Sequence, residues 1–388
     1  MTSLQSSDES VIGILCEYMA QSRTASVPGD VAQKAKHHIL DTIGAMVSGT
    51  TLEPGRLAIK YADMQGGTPQ AMVVGSSVVT NAVTAALANG ILAHSDETDD
   101  SHAPSGIHPG CAVVPAAMAM GEKNDCDGET FLKSVVLGYD VGSRVMRGLR
   151  PKDPFRGDRG RGFASHAMGG VFGAAAAASG CTDMNPTQIR HLLSYTAQQA
   201  SGITSWQTDV DHIEKAFDFA GMPARSGVTS ATTVEAGFTG VWDVFEGFNN
   251  LFDSYTVNHD RAALLNELGS RYEVMLTNIK RYCVGSPVQA PVDALHNIMR
   301  EHGVGPDDFQ SMVAVTANGE NRLTGAEQSM PDIDMRYLLA VSLLDGDLTF
   351  EAGHDVQRME DAKVVDIMNR IEVRADPSLV TPEVPAKA

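Results

Sequence analysis

Between Asn89 and Gly110 the chain reads NGILAHSDETDDSHAPSGIHPG, which crowds Asp96, Glu97, Asp99 and Asp100 together with His94, His102 and His108. Three chemistries suit such a stretch. It can be a solvated acidic loop. It can bind a metal through His and Asp, although it contains neither HExxH nor a DxDxDG loop closed by Glu. It can carry acid–base chemistry, because crowded carboxylates and imidazoles push one another's pKa values toward neutrality.

Two apolar segments must position it. AVTAALANGILAH (82–94) leads in and CAVVPAAMAMGE (111–122) leads out, both with helical character. Pro104, Ser105, Gly106, Pro109 and Gly110 punctuate the connection as a loop. Catalytic groups often sit on such loops when a rigid scaffold holds them.

The stretch resembles the MmgE/PrpD family, whose usual form is NGxxxHxxDFDDTH followed by HPG. Here NGILAHSDETDDSH is followed by HPG at 108–110. Glu97 replaces an Asp, Thr98 an aromatic and Ser101 a Thr. Further segments are similar to the family's: AKHHILDTIGAMVSG (35–49), VLGYDVGSRVM (136–146), GFASHAMGGVFGAAAAASG (162–180), KAFDFAGMPARSGVTSATTVEAGFTG (215–240) and FEGFNNLF (245–252). The resemblance runs nearly end to end. It departs at Ala164, where the family has a His. Either that imidazole has moved to His166, or its role is lost.

The family includes 2-methylcitrate dehydratase, cis-aconitate decarboxylase and iminodisuccinate epimerase. The resemblance therefore implies a cofactor-independent lyase that removes a proton next to a carboxylate of a small di- or tricarboxylate. Such a reaction needs a base, cations for the carboxylates and an acid. The resemblance nominates His108, Asp99 and Ser101 for proton transfer, with Glu97 in support and His166 as the displaced imidazole. It nominates Lys215 and Lys280 for the carboxylates, meeting in a cleft between two domains, and places His94 and His102 in the loop, His102 beside the substrate. Arg161 lies in the basic Gly-rich stretch RPKDPFRGDRGRG (150–162), which suits either a solvated loop or a carboxylate-binding lip, since guanidinium grips carboxylates with paired bonds. Two alternatives remain: an epimerase or isomerase of a dicarboxylate, and an inactive, shortened homologue. ENRLTGAEQSMPD (320–332) lacks the Tyr that assists protonation in many relatives, which counts against decarboxylation. The chain stops at Ala388, before the usual C-terminal return to the helical domain.

Composition bounds these readings. The chain has 388 residues, 43% hydrophobic and 20% charged, with a net charge of −19. That describes a globular protein with room for a large core and a second domain. The acidic balance argues against nucleic acid as a partner. Five cysteines without a CxxC pair suggest a reduced, cytoplasmic protein. No apolar run is long enough to span a membrane. GGVFG follows no strand, which argues against a dinucleotide site. No metal or other cofactor is expected, and the resemblance implies a homodimer.

The expected fold class is mainly α: a large all-helical domain over 1–265 and a small, lid-like α+β domain over 266–388. Helices are expected at 8–22 (capped by Ser7 or Asp8), 29–48, 82–94, 111–123, 129–147, 186–202, 291–302, 332–346 and 361–371. Strands are expected within 271–283, 311–319 and 372–376. His37 and His38 are expected at the surface, Arg144 in a structural role, and Tyr337 packed on an apolar helix face.

Overall fold

The computed structural model describes residues 9–149, 162–317, 319 and 330–379, and the chain is mainly α-helical. Two units divide it. The first comprises the described residues through Ser95, Asp100–Trp206 and Lys215–Ile279. The second comprises Asp96–Asp99, Gln207–Glu214 and the described residues from Lys280 onward.

The first unit is built of α1 (Val11–Ser22), α2 (Gly29–Gly49), α3 (Glu53–Gln65), a hairpin of β1 (Ala71–Met72) and β2 (Val79–Thr80), α4 (Ala82–Ala93), β3 (Ser101–His102), α5 (Gly110–Lys123) and α6 (Gly128–Leu149). It continues with α7 (Ser165–Gly180), α8 (Pro186–Gln199), α9 (Ile213–Ala216, split between the units), α10 (Met222–Glu235), α11 (Leu251–Tyr255) and β4 (Thr277–Asn278), which pairs antiparallel with β3. Local chemistry sets several helix starts. Ser10 caps α1 by accepting from Gly13 N–H, in place of the expected Ser7 or Asp8. Asn81 caps α4 through Thr84 N–H. Asn185 and Gln188 form a reciprocal capping box on α8.

Small residues let α6 and α7 approach backbone to backbone. A Cβ on Gly138 would lie 2.8 Å from the Gly173 carbonyl oxygen, and one on Gly142 would lie 2.5 Å from that of Gly169. Both obstacles are backbone and cannot turn aside. Gly142→Ala is therefore expected to destabilise the protein by about 1–3 kcal/mol through overpacking. A denaturant midpoint equal to wild type would contradict this close contact.

The second unit carries α12 (Ser286–His302), β5 (Met312–Thr316), α13 (Met335–Asp345), α14 (Phe350–His354), α15 (Ala362–Met368) and β6 (Ile371–Ala375). Strands β5 and β6 pair in parallel, Met312 opposite Ile371 and Thr316 opposite Ala375. Val288, Val292, Leu338, Val341, Val364 and Ile367 fill its core. Tyr337 is fully buried there, and its hydroxyl donates to the Ala352 carbonyl at 2.6 Å.

Two local expectations need correction. The alternation in 271–283 yields a 3-10 turn at Glu273–Leu276 and only the two residues of β4. The parallel pair thus joins 312–316 to 371–375. His38 is fully buried in α2, whereas its neighbour His37 is exposed. No helix among the described residues is long and apolar enough to cross a membrane.

Candidate active site

The aromatic ring of Phe219 gathers three imidazoles of the first unit. His94, the cap residue ending α4, stacks on it at 4.6 Å between centroids, and His166, in the first turn of α7, stacks at 3.9 Å. The His108 ring, two residues before α5, lies 5.8 Å from Phe219, 5.6 Å from His94 and 4.9 Å from His166. Trp206 meets Phe219 edge-on at 4.6 Å. Lys215 Nζ lies 5.4 Å from the Phe219 ring and 5.6 Å from the Trp206 ring, within cation–π range. His94, Lys215, Phe219 and His108 are all at least 95% buried.

A local helix defect presents Phe219. Residues Phe217–Gly221 form a π-helical turn between α9 and α10, closed by Met222 N–H on the Phe217 carbonyl. Pro223 follows and has no N–H to offer the Phe219 carbonyl four residues back. That carbonyl instead faces Cys111 Sγ at 3.9 Å. Such single-turn π segments recur at functional sites.

The loop carrying His108 is fixed at two points. Asp100 is fully buried, and its Oδ1 accepts from Gly110 N–H at 3.0 Å. Its Oδ2 accepts from Tyr139 Oη at 2.5 Å and lies 2.7 Å from His38 Nδ1. His102 is the second point. Its Nδ1 accepts from Ser105 N–H at 3.3 Å and lies 2.6 Å from Ser105 Oγ, while its Nε2 lies 3.0 Å from Glu273. Burial outweighs the pull of the Glu273 carboxylate and holds the His102 pKa below its ordinary value. A neutral ring with its proton on Nε2 satisfies both contacts.

Behind His102 lies an ion cluster with a buried centre, Glu273 and Arg144, and two half-buried arginines. Glu273 meets Arg147 Nη1 at 3.0 Å and Arg271 Nη2 at 2.9 Å, with Arg144 Nη2 at 3.9 Å. Arg144 donates to the carbonyls of Asn266 at 2.6 Å and Arg271 at 2.7 Å. Burial raises the Glu273 pKa, but the His102 contact and the arginines overcome it and bring the group down to about 2. Asp140, which accepts Glu273 N–H at 2.6 Å, is raised to about 6 by burial, against the pull of Arg144.

The two carboxyls give opposite pH dependences. Glu273 contributes stability fully present above its unfolded pKa of about 4.5, lost as pH falls toward about 2. Asp140 binds its proton more tightly when folded, so its contribution falls as pH rises from about 4 to about 6. Glu273→Gln is expected to flatten the acid limb of the stability curve below pH of about 4.5, whereas wild type keeps a rising limb. Equal acid slopes in urea titrations of the two proteins would contradict the assignment.

The acidic residues Asp96–Asp99 belong to the second unit. Lys280 Nζ donates to the Glu97 carbonyl at 2.6 Å and lies 3.3 Å from Glu97 Oε2 and 3.4 Å from Asp99 Oδ1. Burial opposes the ammonium charge, but Glu97 and Asp99 outweigh it and raise the Lys280 pKa. Asp96 accepts from Thr98 N–H at 2.9 Å and lies 3.0 Å from His354 Nε2. His354 is pushed down by burial and up by Asp96, and it settles at about 9.

Of the nominated residues, His108, His166 and Lys215 therefore share one cluster with His94. Glu97 and Asp99 surround Lys280. Ser101 is buried in β3 opposite Asn278. His102 has both ring nitrogens engaged by Ser105 and Glu273. Arg161 lies outside the described residues, as does most of the stretch lacking Tyr. Sequence reasoning missed Phe219, Trp206 and His38. For Phe219 a usable signal was present, since an aromatic four residues before a proline marks a carbonyl that the proline leaves without a helical donor.

Two buried imidazoles, His94 and His108, the half-buried His166 and a buried ammonium pack around one aromatic ring, an arrangement chemically able to exchange protons with an anionic molecule. The MmgE/PrpD N-terminal domain model matches residues 13–263, and the C-terminal domain model matches residues 282–388. The chain belongs to the MmgE/PrpD family. It is 27% identical to a cis-aconitate decarboxylase-like protein of Aspergillus oryzae, over 80% of this chain and 65% of that protein. It is 24% identical to the human cis-aconitate decarboxylase, over 89% of this chain and 73% of that protein. It is 25% identical to the cis-aconitate decarboxylase of Aspergillus terreus, over 73% of this chain and 59% of that protein. The chain thus spans about three-fifths to three-quarters of the length of these relatives.

Proposed function

We propose that the chain is a cofactor-independent lyase acting on a small di- or tricarboxylate, with His108 as the base that removes a proton next to a carboxylate. The observation that carries this reading is the His108 ring beside His166 and His94, with Lys215 on the same aromatic platform. A neutral imidazole suits a base near pH 7. His108 takes the proton, the electron pair forms the new double bond, and a hydroxyl leaves as water with a proton supplied by His166. Lys215 meets a substrate carboxylate in a setting where water is largely excluded, which strengthens the attraction. The names of the relatives favour a second reading, in which the bond to a carboxylate breaks, carbon dioxide leaves, and a protonated imidazole of the same cluster protonates the resulting carbanion.

Incubation with citrate, 2-methylcitrate, cis-aconitate and shorter dicarboxylates, followed by proton NMR and carbon dioxide detection, separates these outcomes. Water loss supports the first reading and carbon dioxide release the second. Proton exchange without elimination would identify an isomerase instead. Inertness toward the whole panel would overturn the proposal. Lys215→Ala is expected to raise KM roughly 10-fold or more, with a smaller loss in kcat. A kcat loss at unchanged KM would contradict its role as a carboxylate anchor.

A further inference from the structure

Asp100, His38 and Tyr139 form a buried group that the proposed chemistry does not use. They come from the loop after α4, from α2 and from α6, which are far apart in sequence. The three are fully buried. One Asp100 oxygen faces both the Tyr139 hydroxyl and His38 Nδ1, and the other holds Gly110 N–H. Gly110 is the first residue of α5, and His108 stands two positions before it. The group also fixes the identity of residue 110. A Cβ there would lie 2.7 Å from Tyr139 Oη, 2.8 Å from Thr42 Oγ1 and 3.0 Å from Asp100 Oδ1. Thr42 in turn donates to the His38 carbonyl at 2.9 Å. The His38 and Tyr139 rings pack edge to face at 5.5 Å, which locks both rotamers.

Buried polar groups are costly unless satisfied, and a carboxylate in an apolar core is among the costliest. A helix start needs only one acceptor for a first-turn N–H, and Ser, Asn or a surface Asp supplies one at little cost. The extra expense of burying Asp100 with two dedicated donors therefore calls for a reason beyond capping. Position supplies it: the carboxylate sets where α5 begins, and hence where the His108 ring is held.

We infer that Asp100, His38 and Tyr139 are positioning residues that fix the His108 imidazole by locking the first residue of α5. The inference rests on His108 being the proposed base. Its main test, however, reads the ring itself and needs no substrate. In His38→Leu the Nδ1 donor is lost. In His38→Asn the side-chain amide nitrogen occupies nearly the place of Nδ1 and restores the donor.

With histidine-labelled protein, the His108 ring resonances are expected to move in His38→Leu and to return toward wild type in His38→Asn. His108 resonances that stay put in His38→Leu would overturn the inference, as would an Asn variant no closer to wild type than the Leu variant. If His38→Leu fails to fold, Tyr139→Phe supplies the same reading, because it removes one donor from Asp100 with little change of volume. Where the substrate panel gives turnover, His38→Leu should lower kcat by roughly 10- to 100-fold with little change in KM, as small misplacements of a reacting group do. The exposed neighbour serves as control, since His37→Ala should leave both the resonances and kcat unchanged. Lack of turnover in wild type would bear on the proposed function alone, and the resonances would still decide the positioning role.

Discussion

His108→Ala is expected to lower kcat by roughly 100- to 10,000-fold, the usual contribution of a positioned general base. KM should change little, because the imidazole acts on the proton in flight rather than on the bound carboxylates. The fold should survive, since His108 packs against Phe219, His94 and His166 and helix α5 keeps its start through Gly110 and Asp100. Circular dichroism and the denaturant midpoint check the fold, and steady-state kinetics on whichever polycarboxylate the panel identifies check the rate. A kcat near wild type would transfer the base role to His166, the only other imidazole within 5 Å of His108 among the described ring pairs.

The second large effect concerns stability. Arg144→Ala is expected to cost about 3–5 kcal/mol, the range for removing one member of a buried ionic group. The guanidinium is fully buried. It supplies donors to the Asn266 and Arg271 carbonyls and stands 3.9 Å from both Asp140 and Glu273. Its loss strands two carbonyls and leaves Asp140 without its cation. The measurement is a urea midpoint at unchanged slope, since a changed slope would signal a different unfolded or native state. A loss below about 1 kcal/mol would mean that water or a neighbouring arginine replaces the guanidinium.

The helical scaffold was legible because its signals are local. Apolar residues at helical spacing and the small-residue pair Gly138/Gly142 each declare themselves within a few residues. The Asp- and His-rich loop was legible because seven titratable side chains within 22 residues are hard to miss. What escaped depends on partners distant in sequence. His38 sits beside the exposed His37 and reads like it. Its burial follows from Asp100, 62 residues away. Phe219 reads as an ordinary core aromatic because the imidazoles stacked on it, His94 and His166, lie far away in sequence.

The segment 271–283 failed for a different reason. A strand sends neighbouring side chains to opposite faces. Here Glu273 and Val274 are both fully buried, one for the arginines and the other for the apolar core. Two consecutive inward residues break the period of two, and the backbone tightens into a 3-10 turn. Helix α3 was overlooked as well, although Pro54 near its start and Gly66 after its end mark it out. Its apolar face is made largely of alanine and glycine, which gives a weak periodic signal.

Deuterium incorporation tests the central claim most directly. Wild-type protein in deuterium oxide with a substrate from the panel should place deuterium at a carbon next to a carboxylate, read by proton NMR as the loss of that signal. His108→Ala at the same concentration should slow this exchange by roughly the same factor as kcat. Exchange at the wild-type rate in His108→Ala would contradict the account, because the proton would then be leaving through another group.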